Sequence, residues 1–323
     1  TRCGRGWLAY ILYDLYGPEL NMKKSVKYII IAIVVIAVTL LLVFLNINKN
    51  NREQVEDGTV KIVTSFYPMY IIAENITEGA QNIELENMAD VNVGCLHDYT
   101  LTTEDMRKVE NADIFIMNGL GMENFIDKVI ASNENMAVID SSTNMANIIS
   151  DENGTNAHIW TSIDNYILQV ENIANGLIEK DGENAEIYQE NANTYVERLQ
   201  TLRERVSNEL QGLENQKAIC LNEAFAYMGR ELGLDMTIVE TNHEESTMSA
   251  EMLSSLIDEV KEENIQIIII DKNDDRSNAE TIAKETGAKI YELNSGLTGN
   301  TDKDAYISAM EENIETLATI TTF

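Results

Sequence analysis

Residues 94–105 read GCLHDYTLTTED, and the interpretation of the whole chain starts from this stretch. It places His97 in a polar loop directly before a run, TTED, in which hydroxyl caps are followed by acids, as is typical of a helix N-terminus. Apolar residues continue at helical spacing, and residues 113–117 (DIFIM) then predict a buried strand. A lone histidine is usually structural or solvent-facing, so the loop by itself leaves a metal-ligand role for His97 open.

Strands alternate with helices on both sides of this loop. Such alternation predicts a parallel α/β sheet that is covered on both faces and binds ligands at the carboxyl ends of its strands. His97 lies at that edge, and His158, at the end of the next long loop, can lie there too. Strands are predicted at residues 60–65, 84–89, 113–117 and 137–140, and helices at residues 67–78, after residue 102 and at residues 123–131.

Residues 164–213 carry a helical pattern that is interrupted at Asp181 and Gly182. The second part, residues 184–213, would span roughly 45 Å at 1.5 Å per residue, and we expect it to be one long helix that links two lobes. A short coiled coil is the alternative reading of this apolar repeat. A second small parallel sheet is then predicted, with strands at residues 217–221, 237–240, 266–270 and 289–293, helices at residues 225–232, 250–263, 277–286 and 304–317, and a helix C-cap at Gly287.

The N-terminal part has the character of a membrane anchor. Residues 28–45 form an uncharged apolar run just long enough to cross a bilayer as a helix. Since neither a small-residue cleavage site nor a cysteine follows the run, we expect an uncleaved signal anchor, and the excess of basic residues before it places the rest of the chain outside the cell. We expect an upstream extension or cytoplasmic tail over residues 1–21, the anchor within residues 22–50 and a polar tether over residues 51–59.

The length and the net charge of the chain limit which functions are possible. The 323 residues suffice for two compact lobes, which we place at residues 60–160 and 216–323, with linking helices at residues 161–215. The formal net charge of −31 argues against a nucleic-acid partner, because phosphate binding needs clustered Lys and Arg. It suits a protein that gathers cations, although an acidic coat kept for solubility explains the charge equally well.

Three motifs stand in a fixed order: GCLHDYT around His97, AHIW at residues 157–160, and NEAFAY at residues 222–227, which leads into ELGL at residues 231–234. In this order and spacing they resemble the metal-specific solute-binding proteins of bacterial ABC importers, the zinc and manganese group. The resemblance runs from about residue 60 to the end of the chain. It implies two α/β lobes joined by a rigid helix, a divalent metal as the transported ligand, and an ABC permease in the same membrane as the partner.

The resemblance also implies a set of metal ligands. His97 and His158 match the family's two histidine motifs. Asn222 stands where the family usually has His or Glu, and Asn294 stands where it usually has Asp. Each asparagine replaces a strong donor by a neutral amide, and Glu223 or water is the candidate for the missing oxygen.

Two cysteines lie close to these positions in the sequence. Cys95 lies two residues before His97, and Cys220 lies two residues before Asn222, so in extended backbone each would point to the same side as its neighbour. They can form a cross-cleft disulfide, act as thiolate ligands, or simply be buried apolar residues beneath the site. His243 lies among acids in a loop, and we expect it to be solvated rather than a ligand.

The sequence therefore predicts a monomeric, single-pass membrane protein that captures zinc or manganese outside the cell for an ABC importer, and not an enzyme. Many zinc-specific members of the family that this chain resembles carry a histidine-rich insertion in the region of residues 142–156, and this sequence has none. The sequence therefore does not favour zinc over manganese. A surface adhesion or interaction protein of the same fold, with a weakened or lost metal site, is the alternative. A hydrolase that uses Cys95 or Cys220 with His158 as base is a further one, but no nucleophile motif surrounds either cysteine.

Overall fold

Two parallel four-stranded sheets organise the chain. The computed structural model describes residues 58–94, 96, 99–150, 154–239 and 248–320. The predicted N-terminal extension, the membrane helix and nearly all of the tether lie outside these residues. Within them, no helix is both long enough and apolar enough to span a bilayer.

The first sheet has the strand order β2-β1-β3-β4, with all neighbours parallel. Its central strand β3 (IFIM) is apolar on both faces because helices cover both sides, whereas the edge strand β2 (IELEN) places its acids toward solvent. In chain order the elements are β1 (Val60–Thr64), α1 (Tyr67–Thr77), β2 (Ile83–Asn87), α2 (Thr103–Glu110), β3 (Ile114–Met117), α3 (Asp127–Ser132) and β4 (Ala137–Asp140).

Helix α2 begins where the sequence predicts. The Thr102 hydroxyl accepts a hydrogen bond from the Asp105 N–H at 3.2 Å, and Asp105 Oδ2 accepts one from the Thr102 N–H at 2.8 Å, which completes a capping box. The helix predicted at residues 123–131 starts instead as a 3₁₀ turn, Asn124–Ile126, that runs into α3. The loop that carries His97 therefore ends at a fixed helix start.

Two long helices follow, α4 (Ile163–Lys180) and α5 (Ala185–Glu209), separated by a 3₁₀ turn at Gly182–Asn184. Helix α5 is shorter than predicted, with 25 residues or roughly 38 Å, because the chain turns at Gly212, whose φ is +100°. It contacts α1 and α4 on one side, and the last helix of the chain on the other. The long helix therefore links both halves, as expected, rather than forming an isolated coiled-coil seam.

The second sheet repeats the first, with the parallel strand order β6-β5-β7-β8. The strand predicted at residues 237–240 begins two residues earlier, and Gly287 closes its helix in the left-handed conformation, with φ +83°, as predicted. The elements are β5 (Lys217–Cys220), α6 (Ala226–Glu231), β6 (Asp235–Ile238), α7 (Ala250–Glu262), β7 (Ile267–Asp271), α8 (Ser277–Thr286), β8 (Lys289–Leu293) and α9 (Ala305–Ala318).

The two sheets share a hydrophobic core. Ile267 and Ile269 of β7 pack into a cluster that also contains the buried residues of the first sheet and of α5, while the alternating Ile268 and Ile270 pack into a smaller cluster on the other face. The described residues from Val60 onward accordingly form one compact unit. This common core fixes the junction at which the carboxyl ends of strands from both sheets meet.

Candidate functional site

His158 lies where the chain leaves the first sheet, immediately before the 3₁₀ turn Ile159–Thr161. It is 2 % exposed, and its Nδ1 lies 3.0 Å from the Asn156 side-chain oxygen, which also accepts the His158 backbone N–H at 2.9 Å. An amide oxygen only accepts, so Nδ1 carries the ring hydrogen and Nε2 is the nitrogen able to coordinate a metal. A metal-binding histidine is commonly held in this way by a partner on its other nitrogen.

Asn156 also joins His158 to the second sheet. Its amide nitrogen donates to the Glu223 carbonyl at 3.0 Å, and the Tyr227 hydroxyl donates to the Asn156 carbonyl at 2.7 Å. Because the Glu223 carbonyl can only accept, this bond fixes which end of the Asn156 amide faces the histidine. The loop that carries the predicted third ligand therefore lies directly beside the His158 segment.

Trp160 ties the same segment to the loop of the predicted fourth ligand. Its indole N–H donates to the Ser295 carbonyl at 2.9 Å, and the Tyr306 hydroxyl donates to the Trp160 carbonyl at 2.8 Å. Trp160 is fully buried, so it packs between the two halves rather than lining an open cleft. The structure thus brings the loops of His158, Asn222 and Asn294 to one junction.

Both predicted asparagine ligands are engaged in holding their own loops. Asn222 Oδ1 accepts the Ala224 N–H at 2.9 Å and caps a 3₁₀ turn, while its amide nitrogen donates to Asp274 Oδ2 at 2.8 Å. Asn294 Oδ1 accepts the Gly296 N–H at 3.0 Å, and its amide nitrogen donates to Glu312 at 3.2 Å. Either oxygen would have to share its lone pairs with a metal, so these amides are weak ligands at best.

Sequence reasoning missed two acids at the carboxyl end of β7. Asp271 is buried, and its two oxygens accept the backbone N–H groups of Asn273 and Ser295 at 2.8 and 3.1 Å. Burial raises the pKa of the Asp274 carboxyl, which reaches the Asn222 side chain. A usable signal was present, because acids that directly follow a buried parallel strand lie at the ligand-binding edge of its sheet.

The environment of Cys220 contradicts the hypothesis of a cross-cleft disulfide. Cys220 is a free, fully buried thiol that donates to the Asn222 carbonyl at 3.1 Å, so the cross-cleft disulfide is not formed. Burial also raises the pKa of this thiol to about 12, which keeps it protonated at neutral pH and disfavours Cys220 as a nucleophile. For Cys220, the structure agrees with the interpretation as a buried apolar residue.

His97, Cys95 and His243 lie outside the described residues. The chain on either side of His97 is anchored, since Leu96 is fully buried in the larger core and the Tyr99 hydroxyl donates to Asp105 Oδ2 at 2.6 Å. In the part of the chain that the structure describes, no group of three or more His, Cys, Asp and Glu side chains is placed to hold a metal. The described part of the site is therefore one imidazole, with the loops of Asn222 and Asn294 beside its segment.

Sequence reasoning also missed Glu123, a buried acid that supports the part of the site contributed by the first sheet. Glu123 is fully buried, and its oxygens accept the N–H groups of Asn118 and Gly119 at 2.7 and 3.1 Å. Burial raises its pKa to about 7 despite these donors. Because the Asn118 amide donates to the Ala157 carbonyl at 2.9 Å, this network sets the backbone position next to His158.

Two parallel α/β sheets, one connecting helix and polar side chains gathered where strand ends meet define the class of a solute-binding protein. The chain belongs to the family described as zinc-uptake complex component A, periplasmic (ZnuA), whose model matches residues 62–320. The resemblance inferred from the three motifs is therefore confirmed.

Named relatives agree with the family. The manganese-binding lipoprotein MntA of Halalkalibacterium halodurans is 30 % identical over 81 % of this chain and 88 % of its own length. The zinc-binding protein AdcA of Streptococcus pyogenes is 28 % identical over 82 % of this chain, which spans only 57 % of that relative. Among solved structures, the solute-binding protein FpvC of Pseudomonas aeruginosa in complex with Mn²⁺ has a TM-score of 0.73 at 27 % identity, covering 81 % of this chain and 97 % of its own.

Proposed function

We propose that this chain is an extracytoplasmic receptor that captures a divalent transition metal, zinc or manganese, and delivers it to an ABC permease. One observation carries the proposal. His158 is buried at the junction of the two sheets, with Nδ1 bonded to Asn156 and Nε2 in the state that coordinates a metal. An imidazole held in this way suits zinc, manganese, iron, cobalt or nickel.

The remaining ligands are proposed from the family resemblance, and the contacts of the loops around His158 support them. The proposed set is His97 and His158 from the first sheet, with oxygen from Asn222, Asn294 or Glu223 of the second. The relatives' names support zinc and manganese as cargo, and FpvC has also been solved with Ni²⁺. Because the amides are neutral, we expect weaker binding than a site with two carboxylates would give.

Membrane attachment is the second element of the proposal. The apolar run of residues 28–45 is proposed to anchor the chain, with the folded part on the outer face. MntA is named a lipoprotein, which supports membrane attachment, although the proposed anchor of this chain would be a helix instead of a lipid. The family and the relatives favour metal capture over the adhesion alternative, and the protonated Cys220 thiol disfavours Cys220 as the nucleophile of the hydrolase alternative.

Calorimetric titration of the full-length chain in detergent, with Zn²⁺ and with Mn²⁺ separately, tests this function. We expect one ion bound at micromolar or tighter affinity, and loss of binding in His158→Ala and in His97→Ala. The chain's third histidine provides the matched control, and His243→Ala should leave the affinity unchanged. Absence of binding by the unmodified chain, or full binding by His158→Ala, would refute metal capture at this site.

A further inference from the structure

The second sheet's half of the site has a charge deficit. A divalent cation released from water is best compensated by anionic oxygen, and the predicted ligands on this side, Asn222 and Asn294, are neutral. Both amide oxygens already accept backbone N–H groups within their own loops. If the proposed metal capture is correct, a carboxylate that the predicted ligand set does not include should face the junction.

Asp274 is an exposed carboxylate that contacts the predicted third ligand. It lies in the loop after β7, and its Oδ2 accepts the Asn222 amide N–H at 2.8 Å. The loop is held firmly, because the Asp274 N–H donates to the Asp271 carbonyl at 3.0 Å and the Asp271 side chain accepts the Ser295 N–H at 3.1 Å. The geometry therefore directs Asp274 at the side chain of the predicted third ligand.

Three hydrogen bonds and one backbone step connect the Asp274 loop to the histidine. Asp274 bonds the Asn222 side chain, the carbonyl of the next residue, Glu223, accepts from the Asn156 amide, and the Asn156 oxygen bonds His158 Nδ1. Each hydrogen bond is between 2.8 and 3.0 Å. The loops of Asp274 and His158 thus meet through Asn222 and Glu223, although they come from different sheets.

The basic residues of the same loop face elsewhere. Lys272 pairs with Glu312 at 2.8 Å, and Arg276 pairs with Glu292 at 2.6 Å. Among the residues that the structure describes, no Lys or Arg forms an ion pair with Asp274 or with Asp271. The two carboxylates are therefore held by amide and backbone N–H groups and not neutralised by a basic side chain of the described residues.

A second, independent observation comes from Ser295. Its hydroxyl is buried, with the residue 1 % exposed, and has no hydrogen-bond partner in the described part of the chain. Its backbone bridges the two halves, since its carbonyl accepts the Trp160 indole N–H and its N–H donates to Asp271. An unsatisfied buried hydroxyl at a polar junction commonly marks the place of a bound ion or an ordered water.

We propose that Asp274 supplies the anionic oxygen ligand to the captured metal, and that Asn222 positions it instead of being the principal ligand itself. The carboxylate comes from the loop after β7, the strand that pairs with β5, and the hydrogen bond between the two side chains holds it beside Asn222. This inference rests on the proposed function, and it changes which residue of the second sheet holds the cargo.

The test compares Asp274→Asn with Asp275→Asn in the full-length chain. Asp275 is the matched control, because it lies in the same loop and carries the same charge but bonds the Ser277 N–H at the start of α8. Affinities for Zn²⁺ and Mn²⁺ are measured by competition with a chromophoric chelator, and thermal unfolding of the metal-free variants checks the fold. Asp274→Asn should weaken binding by at least about tenfold and by more than Asn222→Ala does, since a ligand contributes more than the residue that positions it, whereas Asp275→Asn should stay within about threefold.

Two further variants keep the inference testable if Asp274→Asn does not fold. Asp274→Glu keeps a carboxylate at this position, and Asn222→Ala removes only the positioning amide, so each should still bind metal, weakened by less than about a hundredfold. Wild-type affinity in Asp274→Asn, or loss of all binding in a folded Asn222→Ala, would overturn the role of Asp274 while leaving metal capture intact. No binding by the unmodified chain would instead overturn the proposed function, and this inference with it.

Discussion

At the scale of single residues, Asn156 shows how one side chain can prepare a site that spans two sheets. Its oxygen orients His158, and its nitrogen holds the Glu223 carbonyl of the other half. Nothing in the sequence pattern singles out Asn156, because its importance comes from contacts between residues 67 positions apart. The histidine could be predicted from its motif, but the partner that fixes its tautomer could not.

Glu123 provides a pH-dependent prediction at the same scale. Its pKa is raised from 4.5 to about 7 in the folded chain, so between these values the folded state binds more protons than the unfolded state. The free energy of unfolding should therefore fall as the pH rises through this range, by up to roughly 3 kcal/mol from this one group. Glutamine at this position resembles the protonated acid and should remove the contribution.

Urea denaturation of the unmodified chain and of Glu123→Gln between pH 4.5 and pH 8 measures this effect. The stability of the variant relative to the unmodified chain should increase as the pH rises, because only the unmodified chain must ionise a buried acid. Parallel pH profiles for the two proteins would show that Glu123 does not titrate in this range.

At the scale of elements, amphipathic and apolar patterns predicted nearly every helix and strand of the described part, because local sequence determines them. The errors lie where distant contacts or a turn decide a boundary. Helix α5 ends at Glu209 since the chain turns at Gly212, and β6 begins at Asp235 because it aligns with Lys217 of its neighbour. Neither limit is visible in the periodicity of the segment itself.

The C-cap of α8 gives a prediction at this scale. Gly287 has φ +83° with open space around the position of a Cβ, so Gly287→Ala should lower the free energy of unfolding by about 1 kcal/mol through backbone strain alone. Gly182 also faces open space and has no positive φ, so Gly182→Ala is the control and should be neutral or slightly stabilising. Equal stability of the two variants, measured by thermal unfolding, would contradict the cap.

At the scale of the whole molecule, contacts between the halves limit hinge motion. The Tyr67 hydroxyl donates to the Asn300 carbonyl at 2.6 Å, and Arg198 of α5 pairs with Asp304 at 2.7 Å. Added to the shared core and the long helix, these contacts favour small local movements of the ligand loops over a wide closure. The sequence predicted the two halves and the helix between them, but not the core that they share, because that core is built from residues far apart in the chain.

The central claim is that this chain captures a divalent transition metal at the junction of its two sheets. Elemental analysis of the full-length chain, saturated with an equimolar mixture of Zn²⁺ and Mn²⁺ and then freed of unbound ions, tests it most directly. We predict close to one equivalent of metal in the unmodified chain and almost none in the double variant His97→Ala with His158→Ala. Equal metal content in the two proteins, or none in either, would contradict the account.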